Sequence, residues 1–175
     1  VSHVIGFMGN ISLETYKAKK DLGYKINDLI GQSGVELSAE SYLKGKDGVK
    51  SIEVDTVGRT TKEISNEPPV PGNDVVLTID TKLQKVALES LERTINDIKS
   101  KADGIKNFGD AFAGSAVAID VNNGEVMAMA NYPYYDPATY LEGAENREAQ
   151  QLIQQWITDD KNKPMHNRSI QDIYA

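Results

Sequence analysis

Near its middle the chain reads Ser65-Asn66-Glu67-Pro68-Pro69-Val70-Pro71-Gly72-Asn73, three prolines and a glycine within nine residues. Proline fixes φ and carries no backbone N–H, so neither a helix nor an inner strand can run through this stretch. Each residue ahead of a proline is also pushed out of the helical region. The run therefore divides the 175 residues into 1–70 and 71–175, and it is the expected domain boundary.

Before the boundary, the apolar run from His3 to Met8 predicts a strand, followed by a turn at Gly9-Asn10. Ser12 is a good N-cap, with Glu14 in the first turn, where the helix dipole favours it. Lys17, Lys19 and Lys20 crowd the end of that helix, and Gly23 suits the left-handed position beyond it. Ser33 to Glu36 fits a capping box, with Val35, Ala39, Tyr42 and Leu43 on one helical face and Gly45 as the stop. Ile52 and Val54, then Thr60, Thr61 and Ile64, predict a hairpin around Val57-Gly58.

After the boundary, Val75 to Ile79 predicts a strand, and Asp80 caps a helix with Leu83, Val86, Ala87, Leu91, Ile95 and Ile98 on its apolar face. Residues 99–113 read as a loop. Asn122-Asn123-Gly124 between two apolar runs is a strong hairpin signal, pairing 115–121 with 125–131. Ala116, Ala118, Met127 and Met129 suit a sheet packed closely by helices on both faces. Residues 132–137 form a rigid loop, and 144–157 a helix with Leu152, Ile153, Trp156 and Ile157 as its apolar side.

Composition narrows the chemistry. Nineteen Lys and Arg against 26 Asp and Glu leave a net charge of −7, which argues against a nucleic-acid partner held by bulk charge. No cysteine is present, which excludes disulfides and thiol nucleophiles. His3 and His166 are the only histidines, too few for a His-rich metal centre. Asp159-Asp160 reads as a solvated pair, and His166 as a surface or packing residue. Ser41-Tyr42-Leu43-Lys44 is the one Ser-x-x-Lys, a spacing that can set an amine beside a hydroxyl. It lies at the end of a short helix with Gly45 next, and no Ser-x-Asn or Lys-Ser/Thr-Gly accompanies it. It is read as a coincidence.

Several segments, taken in order, resemble the class B penicillin-binding proteins, membrane-anchored transpeptidases that cross-link peptidoglycan. These are His3-Val4-Ile5-Gly6-Phe7, Gly31-Gln32-Ser33-Gly34-Val35-Glu36 and Leu43-Lys44-Gly45-Lys46-Asp47-Gly48. They continue with Pro71-Gly72-Asn73-Asp74 through Asp80, Leu83-Gln84, Gly114 through Met129, Asn131-Tyr132-Pro133 and Tyr135-Asp136-Pro137. Asn167-Arg168-Ser169-Ile170-Gln171 through Tyr174-Ala175 resembles the stretch that leads into the family's catalytic Ser-x-x-Lys.

The resemblance implies an α+β protein. Residues 1–70 would be the later part of the non-catalytic pedestal, or dimerisation, module. Residues 71–175 would open an α/β transpeptidase domain with an antiparallel sheet between helical layers. The implied chemistry is serine acyl transfer between stem peptides, with β-lactams as mimics and no cofactor. No catalytic residue is expected within the chain, the nucleophile being expected just after Ala175, so the chain alone is expected to be inactive. Gly31, Gly34 and Glu36 carry the module's motif, and Arg59 is an expected partner of Glu36, so Glu36→Ala or Arg59→Ala is expected to destabilise the module. Implied partners are peptidoglycan stem peptides, β-lactams, a SEDS-family glycosyltransferase and a second copy of the chain. The implied location is the outer face of the cytoplasmic membrane, with an upstream anchor. A non-enzymatic cell-wall interaction module is the other reading, and a bifunctional class A relative fits less well because of the Gly31-to-Glu36 motif.

Overall fold

The structure, a computed structural model, describes residues 1–101, 111–143 and 146–172. The chain opens with a helical turn, α1 (Ser2–Ile5), in which the Val1 carbonyl accepts from the N–H groups of both Val4 and Ile5. The strand expected over residues 3–8 is therefore corrected. So short an apolar run has no periodicity to separate strand from helix, and pairing begins only at β1 (Met8–Asn10). The expected turn at Gly9-Asn10 lies inside that strand.

Ser12 caps α2 (Leu13–Lys19) by accepting from Thr15 N–H, with Glu14 in the first turn. A 3-10 turn over Lys20–Leu22 ends at Gly23 in the left-handed region, φ 84°. The chain returns as β2 (Leu29–Gly31), antiparallel to β1 with Met8 opposite Gly31. Ile11, Tyr24 and Ile30 are buried together under this ribbon, with Tyr16 against them. Next come α3 (Gly34–Ser38) and α4 (Glu40–Leu43), two short helices broken at Ala39 in place of one. Ser33 stands at the N-cap position, yet its side chain caps nothing. Its buried hydroxyl lies beside the Tyr135 phenol without a hydrogen bond of ordinary geometry. The capping box is thus not formed.

Two motif glycines explain themselves by close approach. A Cβ on Gly31 would lie 2.1 Å from the Glu36 carbonyl oxygen. One on Gly34, whose φ is 59°, would lie 2.5 Å from the Val4 carbonyl oxygen, so α1 and α3 touch backbone to backbone there.

The expected first hairpin forms as β3 (Val49–Val54) and β4 (Thr60–Glu67), and both of its faces are largely exposed. Asp55 organises the turn by accepting from the N–H groups of Val57 and Arg59. Residues 71–80 form no ladder, which corrects the strand expected at Val75–Ile79. Their bonds to the sheet come singly, from Thr78 Oγ1 to the Val126 carbonyl and from Asp80 N–H to the Met127 carbonyl.

Asp80 caps α5 (Thr81–Ser100) through Lys82 and Leu83 N–H, as its position predicts. The second hairpin is β5 (Gly114–Ile119) and β6 (Val126–Tyr132), antiparallel with Val117 opposite Met129. Gly124 supplies the positive φ of the turn, 80°. Helix α5 covers one face, burying Ile95, Ala128 and Ala130. On the other face Val117 and Ile119 stay exposed, and the helical turn Arg168–Gln171 meets the sheet through Ser169 and Asn131. The sequence reading also missed Gln84, which is buried among the apolar positions of α5. Its Nε2 donates to the Met129 carbonyl and its Oε1 accepts from Met129 N–H. Part of the expected 99–113 loop, residues 102–110, lies outside the described residues.

After β6 come α6 (Ala138–Glu142) and α7 (Arg147–Thr158), the latter capped by Asn146. The expected helix start at 144–145 lies outside the described residues. Ile153 and Trp156 turn inward, while Leu152 and Ile157 are exposed. Trp156 joins Tyr135, Tyr140 and Phe7 in an aromatic cluster, with Phe7 stacked on Tyr140 at 3.9 Å between centroids. A last helical turn, α8 (Arg168–Gln171), closes the described chain. The result is a mixed α+β architecture of small antiparallel ribbons.

Candidate functional site

The densest buried polar contacts join the two ends of the chain. Helix α1, the end of β6 and residues 164–171 meet there. His3 Nε2 donates to the Pro164 carbonyl at 2.8 Å, and the Tyr135 hydroxyl donates to the Ser2 carbonyl at 3.2 Å. Asn131, about 1% exposed, donates from Nδ2 to Asn167 Oδ1 at 3.1 Å. Its Oδ1 accepts from Ser169 N–H at 2.9 Å and from Ser169 Oγ at 3.1 Å. Asn167 in turn donates from Nδ2 to the His3 carbonyl at 3.3 Å. Its backbone N–H is met by Gln171 Oε1 at 2.7 Å. Arg168, buried, donates to the carbonyls of Lys163 and Asn162. A void of about 10 Å³ lies between α1, Gln84 and Asn131.

Burial sets the electrostatics. It holds the His3 imidazole down at about 4, against the opposing pull of the Pro164 carbonyl. The ring is therefore neutral near pH 7, with its proton on Nε2, because a carbonyl can only accept. Burial also pushes the Tyr140 phenol up to about 12, with Tyr135 adding to the shift. The junction's polar side chains bond one another and backbone groups. They fix the backbone of residues 164–171 from three separate elements.

The motif residues fall elsewhere. Glu36 is half-buried beside a cleft of about 420 Å³ that Asp28, Lys44 and Lys46 also line. Arg59 sits in the exposed β3–β4 turn, and no ion pair joins it to Glu36 among the described residues. The buried carboxylate of this half is Glu40, which the sequence reading missed. It accepts from the Tyr24 hydroxyl and from Gly31 N–H, both at 2.9 Å. Burial first, then Glu40, pushes Tyr24 up to about 12. Gly31 thus matters twice, as the close approach described above and as the donor to Glu40.

Lys44 is 3.2 Å from Asp28 Oδ2, with its ammonium 3.1 Å over the centre of the Tyr24 ring. The Lys44 ammonium is thus engaged with Asp28 and Tyr24, and no hydrogen bond joins it to Ser41 among the described residues. His166 meets Asp172 Oδ1 at 2.5 Å, with its side chain 31% exposed. Among the described residues no group of His, Cys, Asp or Glu could hold a metal ion, and no helix is long and apolar enough to cross a membrane. Asn167 carried the family resemblance in the sequence, but nothing there showed what it bonds to. Buried amides bonded over more than 30 residues leave no local trace.

Comparison with known proteins bears on both ends of the junction. The family described as "Penicillin-binding Protein dimerisation domain" matches residues 1–77. The peptidoglycan D,D-transpeptidase MrdA of Acinetobacter baumannii is 31% identical over 174 residues, covering 99% of this chain and 22% of that protein. A solved structure described as "Structural coordination of polymerization and crosslinking by a peptidoglycan synthase complex" superposes with a TM-score of 0.74 at 33% identity, over 95% of this chain and 28% of that one. The complex between penicillin-binding protein PBP2 and MreC from Helicobacter pylori gives 0.69 at 25% identity, over 96% of this chain and 27% of that one. The chain thus spans about a quarter of the length of the proteins it matches. Because these matches run through both sides of the junction, and not through one motif alone, the chain belongs to the class B penicillin-binding proteins.

Proposed function

We propose that this chain is the frame that positions the nucleophile segment of a serine-type peptidoglycan D,D-transpeptidase. The observation that carries this reading is the clamp on residues 164–171. Asn131, Asn167, His3 and Arg168 hold the backbone that, by the resemblance, leads into the catalytic Ser-x-x-Lys just after Ala175. A displaced nucleophile costs rate steeply, and these buried bonds fix the approach to it. In this reading residues 1–70 are the later pedestal module and 71–175 the start of the transpeptidase domain. Gly31, Gly34 and the Glu40–Tyr24 bond keep the pedestal's shape. The longer protein would act on stem peptides and be acylated by β-lactams at the outer face of the cytoplasmic membrane. Its partners would include a SEDS-family glycosyltransferase, an MreC-like protein and a second copy of itself. A cell-wall interaction module without chemistry is the second reading, favoured by the exposure of hairpin β3–β4 on both faces.

A fluorescent-penicillin gel separates the two. The 175-residue chain is expected to stay unlabelled, and a longer form that continues past Ala175 is expected to label covalently. Labelling of the short chain at Ser41, or none in the longer form, would sink the proposal.

A further inference from the structure

The clamp holds residues 164–171, and one side-chain bond outside it carries the hold a residue further. His166 Nε2 donates to Asp172 Oδ1 at 2.5 Å, and the two residues flank the turn α8. His166 stands just ahead of the N-cap, Asn167, and Asp172 is the C-cap. We infer that His166 and Asp172 are positioning residues for acyl transfer, their bond bracing α8 end to end and setting the direction in which the chain leaves it. A nucleophile after Ala175 belongs to the proposed function, so this role rests on that reading.

A turn like α8 gains from such a brace. It has four residues, and a single helical turn makes too few hydrogen bonds to offset the ordering of its backbone. Its N-cap side chain gives no help, because the Asn167 amide is spent on Asn131 and on the His3 carbonyl. Inside the turn the Asn167 carbonyl accepts from the N–H groups of both Ile170 and Gln171, at 3.2 and 2.9 Å. At Asp172 the backbone becomes extended, with φ −100° and ψ 150°. That residue is therefore where the path toward Ala175 takes its direction.

One end of the brace is anchored. His166 N–H donates to the Lys163 carbonyl at 3.0 Å, which the buried Arg168 guanidinium also holds, and the His166 carbonyl accepts from Arg168 N–H at 3.1 Å. The imidazole thus projects from backbone that the clamp already fixes, and it ties Asp172 to that backbone. A carboxylate oxygen only accepts, so the ring carries its proton on Nε2, and a charged acceptor makes the bond stronger than one between neutral groups. The two side chains are 31% and 35% exposed. A pair so open to water adds little to stability, so its loss should appear in the rate of the chemistry and not in the fold.

The test measures acylation by a fluorescent penicillin in the longer form that continues past Ala175, separating the acylation rate constant from the dissociation constant of the complex that precedes it. His166→Ala and Asp172→Ala should each lower the rate constant about tenfold, less than the roughly hundredfold that a displacement of about 1 Å can cost. The dissociation constant should stay within about twofold, and the melting temperature within about 2 °C. Asp172→Asn, whose Oδ1 can still accept, should keep most of the rate, and the double alanine variant should be no slower than either single one. In the 175-residue chain, both alanine variants should speed amide exchange at Gln171 and leave Ser169, which donates to Asn131, unchanged. Unchanged acylation in the alanine variants would overturn the inference. So would an equal loss in Asp172→Asn, a change in the dissociation constant alone, a rate loss matched by a fall in melting temperature, or unchanged exchange at Gln171. The exchange readout needs no acyl transfer, so its failure is distinct from a longer form that takes no label, which would count against the proposed function instead.

Discussion

Acid should open the junction through His3, and the size of the effect follows from its burial. In the folded chain the imidazole is held at about 4, chiefly by desolvation, with Arg168 and His166 nearby also disfavouring the cation. In the unfolded chain it titrates near its ordinary 6.5. Above about pH 6.5 both states carry a neutral ring, and the stability tied to His3 is present in full. As pH falls below that value the unfolded chain takes up a proton that the folded chain refuses, so stability drains away until pH reaches about 4. The gap corresponds to about 3 kcal/mol, at roughly 1.4 kcal/mol per pH unit of displacement. For a domain of this size that is roughly 6–12 °C in melting temperature. The assay is urea or thermal unfolding at pH 7.5, 6, 5 and 4.5, on the parent and on His3→Gln, whose amide can still donate to the Pro164 carbonyl. Losses from carboxylates are common to both proteins and cancel in the difference. The parent should lose about 2–3 kcal/mol more than the variant across this range. Parallel curves would refute the argument, since they would mean that His3 is hydrated, or charged, in the folded junction.

Three further outcomes test the packing. Glu40→Ala should cost about 2–3 kcal/mol, because Gly31 N–H and the Tyr24 hydroxyl lose their acceptor in a buried setting. Glu36→Ala and Arg59→Ala should each stay within about 0.5 kcal/mol in chemical denaturation, contrary to the expectation from the motif. Gln84→Leu should cost about 2 kcal/mol and speed amide exchange at Met129, whose N–H would be left without its partner.

What the sequence disclosed was what local chemistry decides. Ser12 and Asp80 announced their helices because a capping side chain bonds within three residues of itself. Asn122-Asn123-Gly124 and Val57-Gly58 announced their hairpins for the same reason, since a turn is settled by its own φ values. Glu36 shows the limit of that logic. Ser33 and Glu36 match the capping pattern, but Ser33 turns toward Tyr135, about 100 residues away, and the buried acid is the next one along the helix pair. The junction was less legible still. His3 and Pro164 are 161 residues apart, and a lone histidine in an apolar run carries no sign of a distant carbonyl. Of the segments that carried the family resemblance, 167–171 was the one whose structural role the fold explains best, although no periodicity pointed to it.

The bonds from residues 78–84 to β6 have a consequence for how the sheet can grow. Thr78, Asp80 and Gln84 occupy the outward carbonyls of Val126, Met127 and Met129 and the outward N–H of Met129. That flank of the ribbon is shut by a side-chain and loop seal, which no incoming strand can displace without breaking the start of α5. Among the described residues β5 pairs only with β6, so its far flank is the one place where a ladder can continue. The sheet is thus a one-way template. Any strand added to it, from the same polypeptide or from another, must be laid down beyond β5, and the connector that follows the prolines is what gives the template its direction.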